Sequence, residues 1–118
     1  MTATHIQHSV QGKEITEVNQ PGLVISNAQQ FLDLIMNLPA DAIILHKENL
    51  DEAFFELRTG IAGEILQKVV NYSRQLAIVG NFSMYDSKAL RDFIFESNKS
   101  NTVVFMNTVS EALEKLSR

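Results

Sequence analysis

Three short stretches of unbroken apolar sequence constrain this fold more than anything else in the chain: Ala42-Ile43-Ile44-Leu45, Leu76-Ala77-Ile78-Val79 and Val103-Val104-Phe105-Met106. A strand that is wet on one side alternates apolar and polar residues, so a continuous run is the pattern of a strand covered on both faces. Between and after these runs the apolar residues fall at helical spacing. Ile61, Ala62, Ile65, Leu66, Val69 and Val70 make one face, and Glu64, Gln67, Lys68, Asn71 and Arg74 the other. Ser87 is placed to cap a helix that turns Leu90, Phe93, Ile94 and Ser97 inward. Thr108 and Glu111 have capping-box spacing ahead of a Val109, Ala112, Leu113 and Leu116 stripe. Buried strands alternating with amphipathic helices predict mostly parallel pairing through right-handed crossovers.

The N-terminal part adds different elements. From His5 to Val18 the pattern reads as a β-hairpin, with Ile6, His8 and Val10 on one face, Gln11-Gly12-Lys13 as the tight connection, and Ile15 in the return strand. Asn19-Gln20-Pro21-Gly22 carries a turn signal, after which Leu23 to Ile25 predicts a short extended segment. Ser26 and Asn27 are both N-cap candidates for a helix with Ala28, Phe31, Leu32, Ile35 and Leu38 at helical spacing, closed by Pro39. The expectation is an α/β fold in one domain over 1–118, an N-terminal β-hairpin followed by a mixed sheet of about five strands with four helices. With 118 residues, 45% of them apolar, the chain supports one well-buried core and not two.

Composition narrows the function classes. The net charge is −4 and the ten basic residues are scattered, which argues against nucleic acid as a partner. The chain has no cysteine, which removes disulfides, thiolate metal sites and cysteine nucleophiles and suits a reducing, cytoplasmic setting. The first residues lack the charged and apolar segments of a signal peptide, and no apolar run approaches the ~20 residues that span a bilayer, so no membrane role is expected. No nucleotide P-loop is present, since no GK[ST] follows Gly60 and Gly63, and GNFSMYDS is not a nucleophile elbow. Phe54, Phe55, Phe82, Phe93 and Phe95 are assigned to the core. Catalytic residues, metal ligands and cofactors are left unassigned, and the non-enzymatic reading is favoured.

Polar residues gather where the parallel strands should end, the edge at which open α/β sheets bind ligands. The segment FFELRTGIAGEILQK places Arg58, Thr59 and Gly60 at an expected helix start, and two glycines this early suggest a close approach to the backbone. Thr59 is then either the N-cap or a site for phosphorylation or anion binding, with Arg58 in support. His46 and Glu48, two apart at a strand end, join Asn49, Asn81 and Ser83 as ligand-pocket candidates. His46 is equally readable as a hydrogen-bonded structural residue. Glu64 and Lys68 have i, i+4 spacing for a surface ion pair, or belong with Gln67 to a partner-binding face. His5 and His8 carry little signal.

Through HKENL, FFELRTGIAGEILQK, LAIVGNFS and DFIFESNK the chain resembles, over nearly its full length, an uncharacterised bacterial family, domain of unknown function 4180. The order of elements around Thr59-Gly60 and LAIVG also resembles the STAS domains of anti-sigma factor antagonists (SpoIIAA-like). There a serine or threonine before a glycine at this helix start is phosphorylated by a partner kinase. Leu57 and Arg58 stand where that pattern commonly has aspartate and serine. The STAS resemblance implies an interaction or regulatory module with Thr59 as its switch and a regulatory protein or kinase as partner, homodimerisation being open. The rival is a small-ligand site or weak enzyme at His46, Glu48 and Arg58.

Overall fold

A computed structural model describes residues 5–38 and 40–117. Strands β1 (His5–Val10) and β2 (Lys13–Val18) form the expected antiparallel hairpin. Gln11 and Gly12 alone make its turn, with φ of 51° and 81°, the two-residue geometry that matches strand twist. Strands β3 (Ala42–His46), β4 (Gln75–Val79) and β5 (Val103–Met106) follow in parallel, each beside its predecessor. Among the described residues the sheet order is β1-β2-β3-β4-β5.

That order dictates the layers. Each parallel crossover steps one strand in the same direction, so three right-handed crossovers must put their helices on one face. Helices α1 (Ala28–Met36), α2 (Ile61–Asn71) and α3 (Lys88–Ser100) lie there. Phe31, Ile35, Ile65, Val69 and Leu90 pack on Val18, Ile43, Leu45, Leu76, Ile78 and Phe105. Helix α4 (Val109–Leu116) comes after the last strand and folds back over the other face. Its Ala112 and Leu116 meet Ile15, Ala42, Ile44, Ala77, Val79 and Val104. The continuous apolar runs therefore feed two cores, alternate residues going to opposite sides. Helix α4 packs on β3, β4 and β5, and Ile6 of the hairpin remains 39% exposed on that side.

Side chains define the starts of α1, α3 and α4. Asn27 accepts from the Gln30 amide, Ser87 from Leu90 and Thr108 from Glu111. The Glu111 carboxylate accepts from the Asn107 amide at 3.1 Å, so the box closes one residue ahead of the cap.

Several expectations are corrected. Leu23–Ile25 is not a strand; only Ile25 bridges, to Leu50. Helix α1 ends at Met36, and Pro39 lies outside the described residues. Arg74 is not on the α2 surface: its guanidinium reaches back to the Ile35 and Leu38 carbonyls at the end of α1, 3.1 Å from each. Val70 is 53% exposed and Phe95 64% exposed. On a helix neighbours diverge by about 100°, so Val70 turns away when Val69 points in, and Phe95 sits about 140° from Leu90.

Candidate functional site

Between β3 and α2 the expected loop is a chain of three short 3₁₀ turns, Lys47–Asn49, Glu52–Phe55 and Leu57–Thr59. Two adjacent phenylalanines anchor it, Phe54 and Phe55, 2% and 4% exposed. The Phe55 ring stacks on Tyr85 with centroids 5.1 Å apart and 19° between planes, and meets Phe82 at 5.9 Å. Lys47 extends beside these rings, its Nζ 5.7 Å from the Phe55 centroid and 5.3 Å from that of Tyr85. Gly80 is what lets it pass, because a Cβ there would stand 2.6 Å from the Lys47 Cβ. The Tyr85 hydroxyl donates to Glu52, 3.2 Å from both carboxylate oxygens, and Lys47 Nζ lies 3.8 Å from the same group. Burial raises the Tyr85 pKa, and the Glu52 charge adds to this against the opposing pull of Lys47. The Tyr85 hydroxyl is an O–H donor at neutral pH, as a phenol with the ordinary value of 10.0 already is.

Beside this cluster is a cavity of about 500 Å³ lined by Glu52, Ala53, Phe55, Glu56, Thr59, Tyr85, Asp86 and Ser87. Its floor is aromatic and three carboxylate side chains belong to its wall. Thr59 is in that wall, exposed, but not as the N-cap. The cap of α2 is Gly60, with φ 81°, a left-handed conformation that a threonine would adopt only under strain. Thr59 ends the preceding turn, and its hydroxyl faces the Ala53 carbonyl at 2.7 Å and the Glu56 carbonyl at 2.9 Å. The single hydroxyl proton is shared between these two acceptors, so the side chain ties the second 3₁₀ turn to the third. Arg58 is 85% exposed at its side chain and bonds Glu56 at 3.3 Å. The glycine spacing has a different cause from the close approach expected: Gly60 serves the left-handed cap, nothing comes within 4 Å of a Cβ on Gly63, and the close approach is at Gly80.

His46 and Glu48, both named above as ligand-pocket candidates, do not come together. Glu48 is exposed in its 3₁₀ turn, whereas His46 Nε2 lies 2.8 Å from the Glu17 carboxylate and His8 Nε2 3.0 Å from its other oxygen. Glu17 is 7% exposed. Burial pushes its pKa up, but hydrogen bonds from His46 and then His8 outweigh this and hold it below the ordinary value. These residues lie on the α4 side of the sheet, the same strand faces as Ala42 and Ile44 on β3 and Ile15 on β2. Phe54 and Phe55, which carry the turns leading to Arg58, belong to the opposite core. His46 and Arg58 therefore engage different carboxylates on different faces. Sequence reasoning missed Glu17 and His8 because the pairing spans 29 residues between His46 and Glu17; the one available signal was Glu17 at an i+2 position from the core residue Ile15.

The remaining candidates are placed as follows. Asn49 is 3% exposed; its amide donates to the Gln20 and Leu23 carbonyls and accepts from the His46 amide, stitching the loops beneath β3. Asn81 Oδ1 accepts from the Ser83 amide and hydroxyl at 3.0 and 2.7 Å, a local turn on the exposed edge. Glu64 and Lys68 do not form the expected ion pair; among the described residues a helical pair of that i, i+4 spacing is Lys88–Asp92, and Lys99–Glu96 pairs at i, i+3. With Gln67, Gln29 and Ala28, Glu64 and Lys68 line a shallow hollow of about 310 Å³ between α1 and α2. No three His, Asp or Glu side chains among the described residues converge as a metal site. Nor is any helix among them long and apolar enough to cross a membrane.

Neither a curated protein nor a solved structure matches the chain significantly. The model of one family, described as a domain of unknown function, matches residues 10–116, which takes in β2 to β5, all four helices described above and, of β1, only its last residue, Val10. The chain belongs to this family, DUF4180.

Proposed function

We propose that the protein is a non-enzymatic interaction module of the cytoplasm that receives a regulatory partner at the edge around Thr59, with Thr59 as the residue through which binding is controlled. One observation carries this reading. The exposed Thr59 hydroxyl, in the wall of a cavity floored by Phe55 and Tyr85, is also the tie between the turns that shape that wall. The STAS resemblance points to the same residue from sequence alone. Phosphorylation would replace the hydroxyl donor by a group carrying about −1.5 to −2 charges and bearing only acceptors toward the two carbonyls. With Glu52, Glu56 and Asp86 in the same wall, the added charge would repel and open the turns. The α2 residues Glu64 and Gln67, exposed, and Lys68, half-buried, extend the contact surface away from the cavity.

The test is intact-mass measurement of the protein purified from its native host, beside Thr59→Ala and Tyr85→Ala in co-purification. A phosphate on Thr59 and a partner lost with Tyr85→Ala support the reading. An unmodified chain under all growth conditions removes the switch, and an unchanged partner set in Tyr85→Ala removes the docking edge. A second reading is favoured by the cavity volume, which lies within the ~300–1,000 Å³ of small-molecule sites. It places a small ligand on Phe55 and Tyr85 and not at His46. Metabolite screening by thermal shift tests it, since a ligand at a hundred times its dissociation constant adds about 2.7 kcal/mol of stability.

A further inference from the structure

The two edges of the sheet are treated differently. At β5 the side chain of Asn98, from α3, lies against the outermost strand: its Oδ1 accepts from the Phe105 amide at 2.7 Å and its Nδ2 donates to the Phe105 carbonyl at 3.3 Å. Those are the backbone groups that another strand would use, so this edge is blocked. Strand β1 has none of the usual guards in its sequence. His5–Val10 reads HIQHSV, without Lys, Arg, Asp, Glu or Pro, and its register with β2 runs through six consecutive pairs without a bulge. Edge strands lacking such devices are templates for further pairing.

We propose that β1 pairs antiparallel with β1 of a second copy of this chain, about a two-fold axis through His8, joining two five-stranded sheets into one. Two requirements select that register. The two-residue turn makes Val10–Lys13 the closing hydrogen-bonded pair, so the amides of Gln7 and Ser9 point away from β2. A two-fold axis normal to the sheet keeps each face continuous, so only residues on the same face stand opposite one another. With His8 on the axis, Gln7 meets Ser9 of the second copy through those outward groups. Ile6, 39% exposed, meets Val10 of the second copy on the α4 side of the sheet, where the α4 core reaches Ile15 and Val10 but leaves Ile6 open. Sliding the axis to Gln7 would set Ile6 against a histidine instead. The His8 ring is drawn toward Glu17, 3.0 Å away and along its own sheet, which keeps it from obstructing the axis.

The absence of cysteine makes the register directly testable. Residues opposite each other in a non-hydrogen-bonded pair have Cα atoms about 4.5 Å apart, inside the range a disulfide spans. The expected results are sedimentation of the wild type as a dimer and rapid oxidation of His8→Cys to a covalent dimer. Ile6→Cys, whose two copies would be offset by four residues each way, should cross-link at least about tenfold more slowly. Ser9→Pro removes an outward amide and none that β2 uses, so it should be monomeric with an unchanged circular dichroism spectrum. A wild type that sediments as a monomer up to its solubility limit overturns the proposal and leaves the edge to some other strand. Ser9→Pro retaining the dimer, or equal cross-linking of the two cysteine variants, places the interface elsewhere and overturns it equally.

Discussion

Thr59 illustrates how much one residue step matters. Sequence places it at a helix start, and the structure moves the cap by one position, to Gly60 with φ 81°. The hydroxyl then donates to the turns before the helix, and within the helix it meets only the Ile61 amide, from which it accepts at 3.4 Å. Glu17 is the second case. Replacing it with Ala would strip His8 and His46 of their acceptor inside the sheet and should cost about 1–3 kcal/mol in chemical denaturation at pH 7. Its pH dependence has a definite sign. A carboxylate whose folded pKa lies below its ordinary value of 4.5 contributes stability above that value and loses it as pH falls through the folded pKa. The stability gap between wild type and Glu17→Gln should therefore be full at neutral pH and shrink below about pH 4.5. A gap that stays constant to acid pH would show that the two imidazoles do not hold the charge. Gly80→Ala is the third: its Cβ, 2.6 Å from the Lys47 Cβ, must displace either the strand end or the lysine stem, at about 1–3 kcal/mol. A denaturation midpoint equal to wild type would mean that Lys47 swings aside freely.

At the scale of elements, what could be read from sequence was whatever is encoded locally. The three apolar runs are β3, β4 and β5 to within one residue, because burial on both faces removes polar residues in any context. Ser87 and Thr108 cap where expected, since a cap is a relation between residues three apart. The 3₁₀ turns were illegible. They carry no periodicity of their own and are held by distant groups, Tyr85 on Glu52 and Phe82 on Phe55. Asn49 shows the same dependence, reading as an exposed pocket residue until the Gln20 and Leu23 carbonyls are brought to it by the fold. Asn49→Ala removes the side-chain partner of the Leu23 carbonyl and the His46 amide, while the Gln20 carbonyl keeps the Leu23 amide, and should cost about 1–3 kcal/mol, with faster hydrogen exchange confined to residues 20–25 and 46–50. Uniformly faster exchange across the sheet would instead mark Asn49 as part of the global core.

For the molecule as a whole, sheet order is the controlling fact. Neighbouring strands in sequence are neighbours in space, so three helices are forced to one face and α4 alone serves the other. The alternation of strands and helices made the parallel sheet legible, but not which loops converge at its edge. The cavity draws on two segments, 52–59 and 85–87, that no local pattern connects. The same architecture separates His46 from Arg58 and brings Thr59 to Tyr85 and Asp86. Control of the docking edge by Thr59 is the central claim, and hydrogen exchange on protein carrying phosphothreonine at position 59 tests it most directly. Protection of the amides of Phe54, Glu56, Thr59 and Gly60, bonded to Asp51, Ala53, Glu56 and Leu57 respectively, should fall while that of β3, β4 and β5 stays unchanged. Unaltered protection of those amides in the phosphorylated protein would contradict it.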